Sequence, residues 1–507
     1  MIAQHRHSTP LQLGSPLTLG DVVAVARHDR PVALAPDVTQ RVARSRRVVD
    51  ELVSSGRTVY GITTGFGQLA NVRVADGDVR ALQRNLILSH AAGTGEPFSR
   101  EVTRAMLLLR AQSLSLGYSG VRPELIGLLL ECLNRGVHPV VPSQGSVGAS
   151  GDLAPLAHMA LTLIGEGEAE YDGTLLPASH ALERAGLEPL ELEAKEGLAL
   201  INGTQAMTAV GALAVHDALA LCQVADVAGA VSLAALRGLV GAFDELVTTV
   251  RDQRGASETV ANLRGLLEGR LEDTAGRVQD AYSLRCMPQV HGASRGALEH
   301  VREVLEREVN SVTDNPLVDA DGERILSAGN FHGQPVALAM DYAKLAIAEL
   351  ANISERRTAR LQDPALSGLP PFLTEEPGLN SGLMITQYTA ASLVSENKVL
   401  VHPASADSIP TSANQEDHVS MGTISARQAA QVLDNTTKVI AIELLNGAQA
   451  LELAAVAHPG EGVERAWRAV RGVVEPLRGD RMLAGDLEKV AGLIRSGELA
   501  RVLAAER

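Results

Sequence analysis

Cysteine and aromatic residues are scarce in this 507-residue chain, with 3 cysteines and only 2% Phe, Trp and Tyr. Cys132, Cys222 and Cys286 lie far apart, which argues against a disulfide framework and against a CxxC metal site, and fits a reducing cytoplasm. Few aromatics, with Ala, Leu, Val, Glu and Arg abundant, disfavour a β-sandwich and favour helices packed through small and aliphatic side chains. No sustained Lys/Arg block occurs and the formal charge is -15, so the counterion release that drives phosphate-backbone binding has no surface to work on. Nucleic acid is therefore not an expected partner.

Several catalytic signatures are missing as well. There is no GxxxxGK[ST] loop, and Gly93-Thr-Gly95 lacks the third glycine of a dinucleotide fingerprint. HExxH, a Cys/His quartet and an Asp-rich calcium loop are absent, so no metal is expected. Asp152 stands where a GxSxG elbow needs glycine, which weakens a serine-hydrolase reading of Ser150. Residues 1–16 carry Arg and His without a continuous apolar core and read as a loose leader rather than a secretory signal. Gly197 to Val215 is free of charge but holds Asn202, Thr204 and Gln205, which points to a buried helix rather than a membrane span.

What is present is helical periodicity. Leu298, Val301, Leu305, Val309 and Val312 recur at steps of three and four, as do Val432, Val439, Ile440, Leu444, Ala448 and Leu451. Pro288, Asp314-Asn315-Pro316 and Pro335 mark starts and stops. The expected fold is mainly α: residues 1–205 form a more irregular N-terminal region, with a β-branched run over 57–62, and residues 206–507 form a bundle of long helices and the C-terminal region. Glycine-containing loops over 360–383 and 403–422 interrupt the helices at lengths that are often functional.

The run Gly145-Ser-Val-Gly-Ala-Ser-Gly-Asp152 is the most informative segment. Three small residues, Ala149, Ser150 and Gly151, permit a backbone tight enough for an amide nitrogen to reach a carbonyl carbon, because Gly151 has no side chain to block the approach. Dehydration of Ser150 then leaves an electrophile, a function no ordinary side chain supplies. Read alone, the same run is a flexible Gly/Ser turn. Other polar residues stand in apolar or glycine-rich surroundings: Tyr60 to Gly67, Ser89 to Gly93, Asn202 to Gln205, Gln279 to Arg285, Gly329 to His332 and Asn414 to His418.

Together with Gly145 to His158, these clusters make the chain resemble the aromatic amino-acid ammonia-lyases from about Leu17 to Glu452. The resemblance implies that Ala149, Ser150 and Gly151 cyclise to 4-methylideneimidazol-5-one, with Asp152 assisting, and that no external cofactor is needed. It implies that Tyr60 is the base, that Asn202, Gln279 and Tyr282 surround the electrophile, and that Phe331 orients it or walls the pocket. Arg285 would anchor the substrate carboxylate, since its fork grips two oxygens. Without the resemblance, Tyr60 and Phe331 read as packing residues, Asn202 as a locally bonded helix Asn, and Gln279 and Arg285 as surface groups.

His90 and Glu416 bear on the substrate side chain, because a carboxylate at 416 can accept an imidazole N–H that a phenyl ring does not have. Met384 lines the same pocket on this reading, or is simply core. The expected reaction is loss of ammonia from L-histidine to give trans-urocanate, in the cytoplasm and without a membrane partner, and the resemblance implies a homotetramer whose sites draw on more than one subunit. The rivals are a phenylalanine or tyrosine lyase or an aminomutase with the same electrophile, and a non-catalytic helical scaffold. Ala281 replaces a proline often found in that family between Asp280 and Tyr282; no role is carried onto 251–276 or onto the tail after Pro459.

Overall fold

The computed structural model describes residues 9–55, 59, 61–65, 74–270 and 277–504. Helices dominate, and among the described residues the nine strands are only three or four residues long. The chain forms two compact units, each assembled from three stretches: 1–213, 302–341 and 403–427 in the first, and 214–301, 342–402 and 428–507 in the second.

In the first unit, three short helices stand together: α1 (Val79–His90), α3 (Leu153–Leu163) and α4 (Glu196–Ile201). They pack against one another, while α2 (Arg100–Ser115) packs on helices Leu19–His28 and Pro123–Arg135. The fully buried interior of α2 includes Leu107, Leu108, Ala111 and Leu114, so its core face is far wider than a surface helix needs. A short antiparallel pair, Thr94–Pro97 with Pro142–Gln144, joins the segment after α1 to the start of the Gly145–Asp152 loop.

The long helices follow the sequence pattern. Gln205–Ala235 (α5), Met287–Val309 (α6), Gln334–Gln362 (α7) and Gly422–Leu453 (α9) have 23 to 32 residues each, and Met384–Leu400 (α8) is shorter. Leu298, Val301 and Leu305 are fully buried, as are Val432, Val439, Ile440 and Leu444, as the three-and-four spacing requires. Pro288 and Pro335 sit in first turns, where a missing N–H costs nothing. The α6 helix stops at Val309, so Val312 falls outside it, beyond the turns at Asn310 and Ser311.

The charge-free stretch is two helices rather than one. The α4 helix ends at Ile201 and α5 begins at Gln205, with Asn202, Gly203 and Thr204 between them. By length and composition α5 could cross a membrane, yet 83% of its most apolar window is buried within the protein, the burial of a core helix. In the second unit, Ala351, Ala390, Val439 and Ile442 form one apolar core. A buried polar network lies beside them: Asp226 accepts from Arg295 and bonds His291, and Glu443 accepts from Arg357 and Ser232. The three cysteines are free.

Candidate active site

Three helix ends converge in the first unit. His90 closes α1, Asp152 caps α3, and Asn202 caps the C-terminus of α4. Because these helices pack together, their ends bring the Ala149–Ser150–Gly151 loop and the 202–204 break into contact.

The loop is fixed by backbone contacts that only glycine allows. Gly151 has φ +72° and forms a parallel bridge with Gly203; a Cβ on it would lie 2.0 Å from the Gly203 carbonyl oxygen. The next amide, on Asp152, donates to that oxygen at 2.7 Å. Gly148 has φ +66°, and a Cβ there would lie 2.2 Å from Ser420 Oγ, which instead donates to the Gly148 carbonyl at 2.9 Å. Met421 N donates to the Val147 carbonyl at 2.9 Å, and Ala149 packs with Val419 and Met421. The loop is thus held from both sides and is not a free Gly/Ser turn.

Asp152 is fully buried. Its carboxylate accepts from Ser146 Oγ at 2.8 Å, from the Met207 amide at 2.8 Å and from the Thr423 hydroxyl. Burial pushes its carboxyl above the usual carboxylate range, although these three donors pull the other way.

Ser150 and Glu416 meet directly, with Ser150 Oγ donating to Glu416 Oε1 at 2.9 Å. The other carboxylate oxygen accepts from Thr411 Oγ1 at 2.7 Å, within the short bridge between Thr411 and Glu416. His90 is half-buried, and its Nδ1 lies 2.9 Å from the Leu86 carbonyl and 3.1 Å from Ser89 Oγ. Burial holds its imidazole below the ordinary value, while the charge of Glu416 acts in the opposite sense, so the two side chains share one electrostatic neighbourhood.

Asn202 does not bond locally. Its Nδ2 donates to the Asn315 carbonyl at 2.8 Å, and its Oδ1 is buried with no partner among the described residues. A buried acceptor left open beside the loop is costly unless something meets it there. Phe331 sits half-buried in the turn closed by the His332 amide on the Gly329 carbonyl.

Gln279, Tyr282, Arg285 and Met384 belong to the second unit. Arg285 Nη1 donates to Gln279 Oε1 at 2.8 Å, and its guanidinium carbon stands 4.8 Å from the centre of the Tyr282 ring. Tyr282 is 71% exposed, so neither it nor the exposed Gln279 is held by packing. Met384 is half-buried at the start of α8. Tyr60 lies outside the described residues.

Sequence reasoning passed over Ser146, Gly203, Ser420 and Thr423, which build the cradle. Ser146 and Gly203 belong to the informative runs 145–152 and 202–205; Ser420 and Thr423 had no signal beyond proximity to Glu416.

The family model of the aromatic amino acid lyases matches residues 17–472. A histidine ammonia-lyase of Symbiobacterium thermophilum is 58% identical over 498 residues, covering 98% of each chain. Among solved structures, the histidine ammonia-lyase of Trypanosoma cruzi superposes with a TM-score of 0.92 at 43% identity, covering 98% of this chain and 96% of that one. A tyrosine aminomutase from Streptomyces globisporus gives 0.94 at 38% identity, covering 98% and 99%. The fold is therefore shared by proteins named for different substrates.

Proposed function

Because this chain belongs to the aromatic amino acid lyases, we infer from the fold, the high-identity relatives and the carboxylate at position 416 that it is a histidine ammonia-lyase. It is a carbon–nitrogen lyase that eliminates ammonia from L-histidine to give trans-urocanate. The observation that carries the substrate assignment is Glu416 Oε1 on Ser150 Oγ, with His90 beside it. An imidazole bound over the loop meets a carboxylate there, and a phenyl or phenol ring returns no N–H to it.

The family's 4-methylideneimidazol-5-one group is proposed to form here from Ala149, Ser150 and Gly151. In that closure the Gly151 nitrogen bonds to the Ala149 carbonyl carbon, and the carbonyl oxygen leaves as water with the amide hydrogens of Gly151 and Ser150, so that this carbon becomes doubly bonded to the Ser150 nitrogen. Ser150 loses its Cα proton and its hydroxyl as a second water, with no change of oxidation state overall. The residues fit such a group: Gly151 has no Cβ and the left-handed conformation, the loop is clamped on both sides, and Asn202 Oδ1 is an open buried acceptor next to it. When formed, the group supplies an electrophile that turns the substrate's amine into a better leaving group.

The chain's own residues have the remaining work. Asp152 assists closure, holding or yielding a proton from a site where burial favours the neutral carboxyl. Tyr60 removes the β-proton, Arg285 binds the carboxylate, and Asn202, Gln279, Tyr282 and Phe331 position the reacting groups. His90, Glu416 and Met384 receive the imidazole. The same proposal includes a cytoplasmic homotetramer. The free cysteines support the compartment. The assembly is supported by the exposed row Ile385, Tyr388 and Val399 on α8, together with Tyr342 and Leu345 on α7.

Incubating the protein with L-histidine, L-phenylalanine and L-tyrosine, following the conjugated acids by their ultraviolet absorbance and any β-amino acid by chromatography, tests the reading. Urocanate from L-histidine alone is expected; cinnamate, coumarate or a β-amino acid as the main product would replace it with a rival. Glu416→Gln should lower kcat/KM for L-histidine by about a hundredfold while the chain still loses two waters, because a neutral amide oxygen accepts the imidazole N–H more weakly than a carboxylate does.

A further inference from the structure

We propose that Arg110 is a positioning residue for ring closure, holding the 202–204 break rigid against the Ala149–Ser150–Gly151 loop. The proposal rests on the reading that this loop cyclises.

Arg110 lies in the middle of α2 and is fully buried. Its Nη1 donates to two acceptors on either side of the break, the Asn202 carbonyl and Gln205 Oε1, each at 2.9 Å. Gly203 lies between them and has no room for a side chain: a Cβ would stand 2.4 Å from Arg110 Nη1 and 2.7 Å from Thr313 Oγ1. Gly203 is the residue whose carbonyl oxygen accepts from Asp152 N. One guanidinium therefore braces the back of the peptide whose front meets the loop. Gln205 Nε2 on Thr313 Oγ1 at 2.8 Å and Asn202 Nδ2 on the Asn315 carbonyl complete the grip.

Stability alone does not account for an arginine here. Its Nε and Nη2 are buried with no partner among the described residues. The carboxylate whose charge offsets it is Asp314, and Asp314 is already engaged by Lys195 Nζ at 2.6 Å, with both of those side chains fully buried. Burial accordingly draws the guanidinium down to about 10, still charged at neutral pH. A second cation on one carboxylate, with open donors, costs folding free energy, and a buried charge retained at such a cost is placed where its directional bonds matter. Removing it leaves the Lys195–Asp314 pair balanced.

That asymmetry gives the test. Arg110→Met and Arg110→Lys are made in the full-length chain and compared with the wild type by intact mass, thermal melting and steady-state kinetics with L-histidine. Arg110→Met is expected to melt near the wild-type temperature, relief of the buried charge offsetting the two lost hydrogen bonds, yet to show a spectrum dominated by the unclosed mass, two waters heavier than the closed chain. Its kcat should fall in proportion to the unclosed fraction, with KM unchanged. Arg110→Lys keeps the charge, but its shorter side chain does not carry a nitrogen to the Nη1 position between both acceptors, and it should close partially. A melting temperature at the wild-type level together with complete two-water loss and wild-type kcat in Arg110→Met overturns the proposal; if that variant does not fold, complete closure in Arg110→Lys does so. A wild-type chain of full mass would instead overturn the reading of the loop itself.

Discussion

His138 shows how a single side chain writes a pH dependence into the first unit. Its Nε2 accepts from Arg100 Nε at 2.9 Å, so the ring must be neutral, and burial with the Arg104 and Arg100 charges draws it from 6.5 to about 4, Asp29 opposing. A lowered folded-state value means that the unfolded chain binds the extra proton first. Its contribution is therefore complete above pH 6.5 and is lost as pH falls toward 4. Melting temperatures of wild type and His138→Gln, whose amide oxygen still accepts from Arg100, should run parallel above pH 6.5 and diverge below it, the wild type falling faster. Equal slopes across that window would remove His138 from the acid response. At this scale the sequence was legible where polar residues stood beside small ones, as Ser150, Asp152 and Asn202 do, whereas Glu416 stood in a polar run that the family resemblance singled out. Arg110 and His138 did not, because inside a helix or a strand either reads as an ordinary surface group until its burial is known.

Elements decide the geometry of the site through their ends. The α1, α3 and α4 helices are short, and each ends or begins on a residue of interest. Periodicity located the long helices well, because burial of a wide apolar face repeats every few residues. It did not locate the break at 202–204, which lies inside a charge-free stretch and is held by bonds to Arg110, Asn315 and Asp152. Gly151→Ala tests this contact. A left-handed alanine costs roughly 1–2 kcal/mol before the overlap with Gly203 is counted, so the urea midpoint should fall and the two-water loss should disappear. An alanine variant of wild-type mass and midpoint would mean that the Gly151–Gly203 approach is not needed.

For the whole molecule, each compact unit is discontinuous in sequence, so residues 302–341 and 403–427 join the first unit although they lie far along the chain. Gln279, Tyr282, Arg285 and Met384 are carried by the second unit. Tyr388 is 63% exposed on α8 beside Ile385. Tyr388→Glu places a charge in that row, and light scattering after size exclusion should show a species smaller than the proposed tetramer, with lower urocanate production per chain. A wild-type protein that elutes as a monomer at full activity would remove the assembly from the proposal.

The sequence by itself determined the helical class, because composition and periodicity act through the local backbone, and its motifs carried the family resemblance that singled out Ala149, Ser150 and Gly151. Only the tertiary structure decided that Glu416 reaches Ser150 across 266 positions, and that Thr423 reaches Asp152 across 271. It likewise revealed that a buried arginine stands behind Gly203. Those meetings depend on which helix ends pack together, and no local pattern in the chain carries that information.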